Sequence, residues 1–72
     1  MLSSGTIPFD PAALRERRIG AGLLQSALAE RAGLTQRYIS DLERGNHKPT
    51  APRLRALADA LACTVADLQG AR

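Results

Sequence analysis

Followed along the chain, the apolar residues recur with helical spacing in short stretches set apart by turn residues. Asp10 and Pro11 precede Ala12-Ala13-Leu14-Arg15-Glu16-Arg17-Arg18-Ile19, and Gly20 and Gly22 follow. An Asp N-cap with Pro at the first helical position starts a helix, and Gly22 suits the left-handed residue beyond its end. Leu24, Leu28 and Ala32 fall at i, i+4, i+8 and predict a second helix over about Leu24–Ala32, stopped by Gly33. Two residues later Thr35 can cap a third helix, Gln36–Arg44, which Gly45 closes. Asn46-His47-Lys48-Pro49 reads as a loop. Thr50 then caps a fourth helix with Leu54, Leu57, Ala58 and Leu61 at i, i+3, i+4, i+7, and Pro52 is tolerated in its first turn. Thr64 caps a last short helix through Leu68. No strand pattern, internal repeat or low-complexity segment interrupts this all-α, five-helix reading.

Composition narrows the picture. The 72 residues allow one small domain, read here as residues 10–69 behind a flexible arm, residues 1–9. The chain is 44% hydrophobic, Leu and Ala dominate, and Phe9 and Tyr38 are the aromatics, so the core must be aliphatic and helical. The formal charge is +3 and the pI about 10.0, with Lys48 the one basic residue that is not Arg. That balance admits a polyanionic partner, nucleic acid or an acidic membrane surface, without demanding one.

Several classes are disfavoured. Cys63 is the single cysteine, so no internal disulfide is expected. With no signal-like start and no apolar run of about 18 residues, the reading is a cytoplasmic protein without a membrane role. One Cys and one His, His47, cannot complete a zinc site, so no metal is expected. There is no nucleophile–base pattern and no glycine-rich phosphate loop; no catalytic residue, cofactor or small-molecule effector is expected.

The middle of the chain is the informative part. Two short helices joined by a three- to four-residue turn with a glycine have helix-turn-helix geometry, here over Gln25–Arg44. Small Ala29 sits where the helices must approach, and Gly33 where the turn needs positive φ. At about 100° per residue, Tyr38, Ile39, Leu42 and Glu43 share one side of the third helix. Gln36, Arg37, Ser40, Asp41 and Arg44 share the other. Gln can bond adenine and Arg guanine through paired hydrogen bonds, so Gln36, Arg37, Ser40 and Asp41 are candidate base readers. Arg37 and Asp41, at i, i+4, equally fit a surface ion pair worth little. Tyr38 could cover the core edge, stack on a thymine methyl or bond a phosphate. Arg15 and Arg17 fit either solvated or phosphate-contacting side chains. Cys63 reads as a small buried hydrophobe.

From Leu14 to Leu68, about three quarters of the chain, the sequence resembles the phage repressor and Cro-like helix-turn-helix family. The resemblance is carried by Leu23–Gln36, by Tyr38-Ile39-Ser40-Asp41-Leu42-Glu43-Arg44-Gly45 and by Lys48-Pro49-Thr50. It implies a five-helix, lambda-repressor-like domain that binds double-stranded DNA. It further implies that Gln25 bonds a phosphate and braces the first recognition-helix side chain. Thr35 would then act as both cap and phosphate contact, and Arg18 and Glu43 as a structural ion pair. Asn46, His47 and Lys48, with Tyr38 and Arg44, would touch the DNA backbone. The family places its dimer contact on the fifth helix and its approach, here Leu61, Cys63, Val65 and Leu68. Leu24 stands where the family has Ser, Thr or Asn, which removes a side-chain cap worth about 0.5–2 kcal/mol. Ala62 stands where it commonly has Gly.

The function these readings imply is a dimeric transcriptional regulator that recognises an inverted-repeat operator and controls its own gene, much as controller proteins of restriction-modification systems do. The alternative is an antitoxin or anti-activator that works mainly through protein–protein contact.

Overall fold

The computed structural model describes residues 8–70. Four α-helices form among these described residues: α1, Pro11–Gly20; α2, Gln25–Ala32; α3, Gln36–Glu43; and α4, Ala51–Ala60. A single 3-10 turn, Ala66–Leu68, stands where a fifth helix was expected. That stretch has too few residues for a cooperative α-helix, and Leu68 is its one fully buried side chain. The expected arm, residues 1–9, falls mostly outside the described residues. Phe9, its last residue, is half-buried against the core and so belongs to the domain.

Local chemistry sets the helix starts. The Asp10 carboxylate accepts from the Ala12 amide at 3.0 Å, with Pro11 opening α1. Thr35 Oγ1 accepts from the Tyr38 amide at 3.1 Å and starts α3. Thr50 Oγ1 accepts from the Arg53 amide at 3.4 Å and starts α4. Leu24 occupies the N-cap of α2, makes no side-chain cap and is 73% exposed. Helix α2 therefore relies on packing: Leu28 and Ala29 are buried, and α2 touches both α3 and α4.

The helix ends share one device. After α1 the Leu23 amide donates to Arg18 O and the Gly22 amide to Ile19 O, with Gly22 at φ +74°. After α4 the Cys63 amide donates to Ala58 O at 2.9 Å and the Ala62 amide to Asp59 O at 3.1 Å. Both are the paired closure that needs one left-handed residue. At α4 that residue is Ala62, at φ +55°, so an L side chain stands where glycine would be unstrained.

The core is aliphatic: Leu14, Leu28, Ala29, Ile39, Leu42, Leu54, Leu57, Ala58 and Leu68. Leu68 is 0% exposed, which corrects its expected place on a surface shared with a second copy. A fifth helix would have carried Leu68 on a protruding face. The 3-10 turn instead folds it inward, and the Leu68 carbonyl accepts from the Asp10 amide at 2.9 Å. The start and the end of the domain thus pair with each other.

Candidate nucleic-acid interface

The α2–α3 pair meets through buried Ala29, whose small side chain permits the close approach, against Ile39 and Leu42. Gly33, at φ +71°, makes the turn between them, and the Leu34 amide closes back on Ala29 O at 2.8 Å. With Ile39 and Leu42 inward, the N-terminal edge of α3 faces out: Gln36 and Arg37 are exposed, and Ser40 is half-buried beside them. The first two candidate base readers are therefore free to reach into a groove.

The angle of α3 is locked from behind. Arg18 on α1 meets Glu43 at the end of α3 with two bonds, Nε to Oε2 at 2.6 Å and Nη2 to Oε1 at 3.0 Å. Its third donor, Nη1, reaches Leu23 O at 2.8 Å. Both side chains are nearly out of solvent, 12% and 4% exposed. The hydrogen bonds to Glu43 push the Arg18 pKa still higher, against a smaller opposing effect of burial. The guanidinium keeps its charge, and a two-point fork fixes direction as well as distance.

Gln25 joins the same cluster. Its amide Nε2 donates to Glu43 Oε1 at 3.0 Å. The expected brace from Gln25 to the first recognition-helix side chain is replaced by a tie to the helix's far end. The carboxylate of Glu43 is the stronger acceptor, and it sits buried on the face that Gln25 also faces.

Asp41 is likewise placed differently from a base reader. Its carboxylate is 14% exposed and is taken up by neighbours. Arg44 Nη2 donates to Oδ1 at 3.1 Å, Arg37 Nε stands 3.6 Å from Oδ2, and His47 Nε2 stands 3.8 Å from the same oxygen. The Arg37 side chain is itself 85% exposed. One acid therefore gathers two arginines from α3 and its C-cap and a histidine from the loop after it.

That loop, Asn46-His47-Lys48, is exposed as a unit, while Pro49 behind it is buried. The Asn46 amide donates to Asp41 O at 2.9 Å and pins the loop to the end of α3. Tyr38 is half-buried against the core, so covering the core edge is one role it does fill. Its ring has Arg53 Cζ 5.1 Å from the centroid on one side and the His47 ring at 6.1 Å. Arg53 was missed by the sequence reading. It shares a shallow pocket with Thr35 and Tyr38, and the available signal was its place in the first turn of α4, directly after the loop.

Of the remaining candidates, Leu61, Cys63 and Val65 are half-buried around the α4–turn corner. Burial pushes the Cys63 thiol pKa up, with Arg17 opposing, so the thiol is not activated. Arg17 pairs with Asp67 at 3.3 Å, and Arg15 lines a groove with Arg44 between the start of α1 and the end of α3. Among the described residues no three His, Cys, Asp or Glu side chains are grouped to hold a metal. Among the described residues no helix is long and apolar enough to cross a membrane.

A family model described as helix-turn-helix (HTH_3) matches residues 14–68. The chain belongs to the helix-turn-helix family of Cro/C1 type. A relative named as the uncharacterized HTH-type transcriptional regulator y4dJ, from Sinorhizobium fredii, is 43% identical over 47 residues. The match covers 65% of this chain and spans 61% of that protein. The restriction-modification controller protein C.AhdI of Aeromonas hydrophila superposes with a TM-score of 0.77 at 33% identity, over 79% of this chain and 86% of its own. The P22 c2 repressor, solved with a synthetic operator, superposes at 0.78 with 32% identity, over 85% and 94%.

Proposed function

We propose that this helix-turn-helix protein is a transcriptional regulator that binds a specific site on double-stranded DNA. The observation that carries the reading is the exposed Gln36–Arg37 edge of α3, held at a fixed angle by the Arg18–Glu43 fork. A base-reading helix must present donors to the major groove in one orientation, and a rigid mount supplies that. Thr35, Tyr38, Arg44, Asn46, His47 and Lys48, with Arg53, lie around this edge and supply backbone contacts that set register without carrying sequence information. Gln25 contributes indirectly, through Glu43.

The regulator acts in the cytoplasm as a homodimer on an inverted repeat, with autoregulation as its role. A single small module buries little DNA surface, and two copies double it. Leu61, Cys63 and Val65 remain for the contact between copies, with a groove of Ala51, Pro52, Leu54 and Val65, edged by Arg55 and Gln69, beside them.

A mobility-shift assay on the gene's own promoter tests the reading. Binding at nanomolar to sub-micromolar protein is expected, falling steeply with salt as counterions are released. Arg37→Ala should cost about 1–3 kcal/mol and relax preference at one base position, whereas Lys48→Ala should weaken all sequences alike. Equal affinity of the native protein for promoter and scrambled DNA would sink the regulator reading.

A further inference from the structure

Two arginines and a histidine of the proposed DNA-facing surface converge on one carboxylate. Arg44 hydrogen-bonds Asp41 Oδ1 at 3.1 Å, while Arg37 Nε and His47 Nε2 lie 3.6 and 3.8 Å from Oδ2. Such exposed pairs contribute little to folding. Their geometry nevertheless matters for a protein that must meet phosphates. We propose that Asp41 is a specificity-determining positioning residue, a resident counter-ion that occupies Arg37, Arg44 and His47 and so lowers affinity for non-target DNA more than for the operator. The proposal rests on the DNA-binding reading above.

The asymmetry follows from what each kind of DNA offers. Non-target DNA offers these side chains mainly phosphate, so each arginine contact exchanges one anion for another while Asp41 repels the incoming charge. A matched base pair offers neutral acceptors. The Arg37 atom nearest Asp41 is Nε, 3.6 Å from Oδ2, and the side chain is 85% exposed, so the end-on pair of guanidinium N–H donors is not what makes that contact. Arg37 can therefore reach guanine O6 and N7 without giving up Asp41. The carboxylate then steadies the reading side chain at the operator and competes with phosphate elsewhere. Like charge set against a wrong partner is a general route to discrimination.

Asp41→Asn removes the charge and keeps the shape. Affinity should be measured for operator and for scrambled DNA at one salt concentration, beside the native protein and Asp59→Asn. Asp59 is exposed on α4, so that control changes net charge equally at another place. Asp41→Asn should raise affinity for scrambled DNA about three- to tenfold and operator affinity by less than about twofold, so that the ratio collapses accordingly. Asp59→Asn should leave the ratio unchanged. Asp41→Ser is the second neutral variant, and thermal melting confirms that both fold. An unchanged ratio in Asp41→Asn overturns the proposal, as does an equal shift in Asp59→Asn or a parallel loss on both DNAs. If the native protein itself fails to discriminate, the DNA-binding reading falls and the proposal with it; if it discriminates and Asp41→Asn does so equally, only the proposal falls.

Discussion

The joint between α1 and α3 and the joint between α4 and the 3-10 turn are built by opposite means. The first uses Arg18 and Glu43, both nearly buried, with half-buried Gln25 beside them, and Glu43 accepts from both partners. The second uses Ala62 in a left-handed conformation, followed by an exposed reciprocal cap. In that cap the Thr64 amide donates to Asp67 Oδ2 at 3.0 Å and the Asp67 amide to Thr64 Oγ1 at 3.2 Å. The Arg17–Asp67 pair over it is half in solvent. One joint holds the reading helix at one angle; the other carries strain and water-exposed bonds. The bonds that fix α3 are shielded from solvent, whereas those at the corner proposed for contact with a second copy are open to it.

Removing half of the buried fork should give the largest effect. Glu43→Ala leaves the Arg18 guanidinium with little solvent, no counter-charge and only the Leu23 carbonyl to bond, and should cost about 3 kcal/mol in a urea unfolding titration. Arg18→Ala should cost a similar amount. A loss below about 1 kcal/mol would mean that the fork contributes no more than an exposed pair and that the contrast is false. At the other joint the sign reverses. Ala62→Gly should raise stability by about 1 kcal/mol, because relief of the left-handed penalty outweighs the added backbone freedom of the unfolded chain. Next is Thr64→Ala, which deletes one side of the reciprocal cap and should cost about 0.5–1 kcal/mol.

The smallest effect is expected from pH. Hydrogen bonds from Thr64 hold the Asp67 pKa below its ordinary value of 3.8, with Arg17 adding to the shift. A carboxyl lowered in the folded state stabilises above its unfolded pKa, and that contribution disappears as pH falls through the folded value. Native protein should therefore lose slightly more melting temperature between pH 5 and pH 2 than Asp67→Asn does, by about a degree or less. Identical pH profiles would remove Asp67 from the account of this joint.

Much of the architecture was legible because its determinants are local. Asp10-Pro11, Thr35 and Thr50 start helices through atoms two or three residues away. The stripe of Leu54, Leu57 and Ala58 states its own buried face. The Arg18–Glu43 pair, 25 residues apart, came from the family pattern and from no local rule. Where the reading departed, the deciding partner lay elsewhere in the chain. Leu68 is drawn inward by the core and by Asp10, which a count along residues 64–68 does not contain. Gln25 bonds a carboxylate 18 residues away. Asp41 was half legible: its spacing to Arg37 and Arg44 is helical, but His47 reaches it only because the loop turns back.

The bond from the Asp10 amide to the Leu68 carbonyl has a topological consequence. Gly70, at φ +65°, lies so close to Asp10 that a Cβ there would stand 3.0 Å from the carboxylate. The folded path is thus almost a closed ring with its entry and exit at one corner. A short linker could seal that ring and new ends could be opened at the exposed Asn46–His47 bond, giving a circular permutant with the same order of helices in space. For the same reason, two copies fused in tandem would be tethered at a single corner of each.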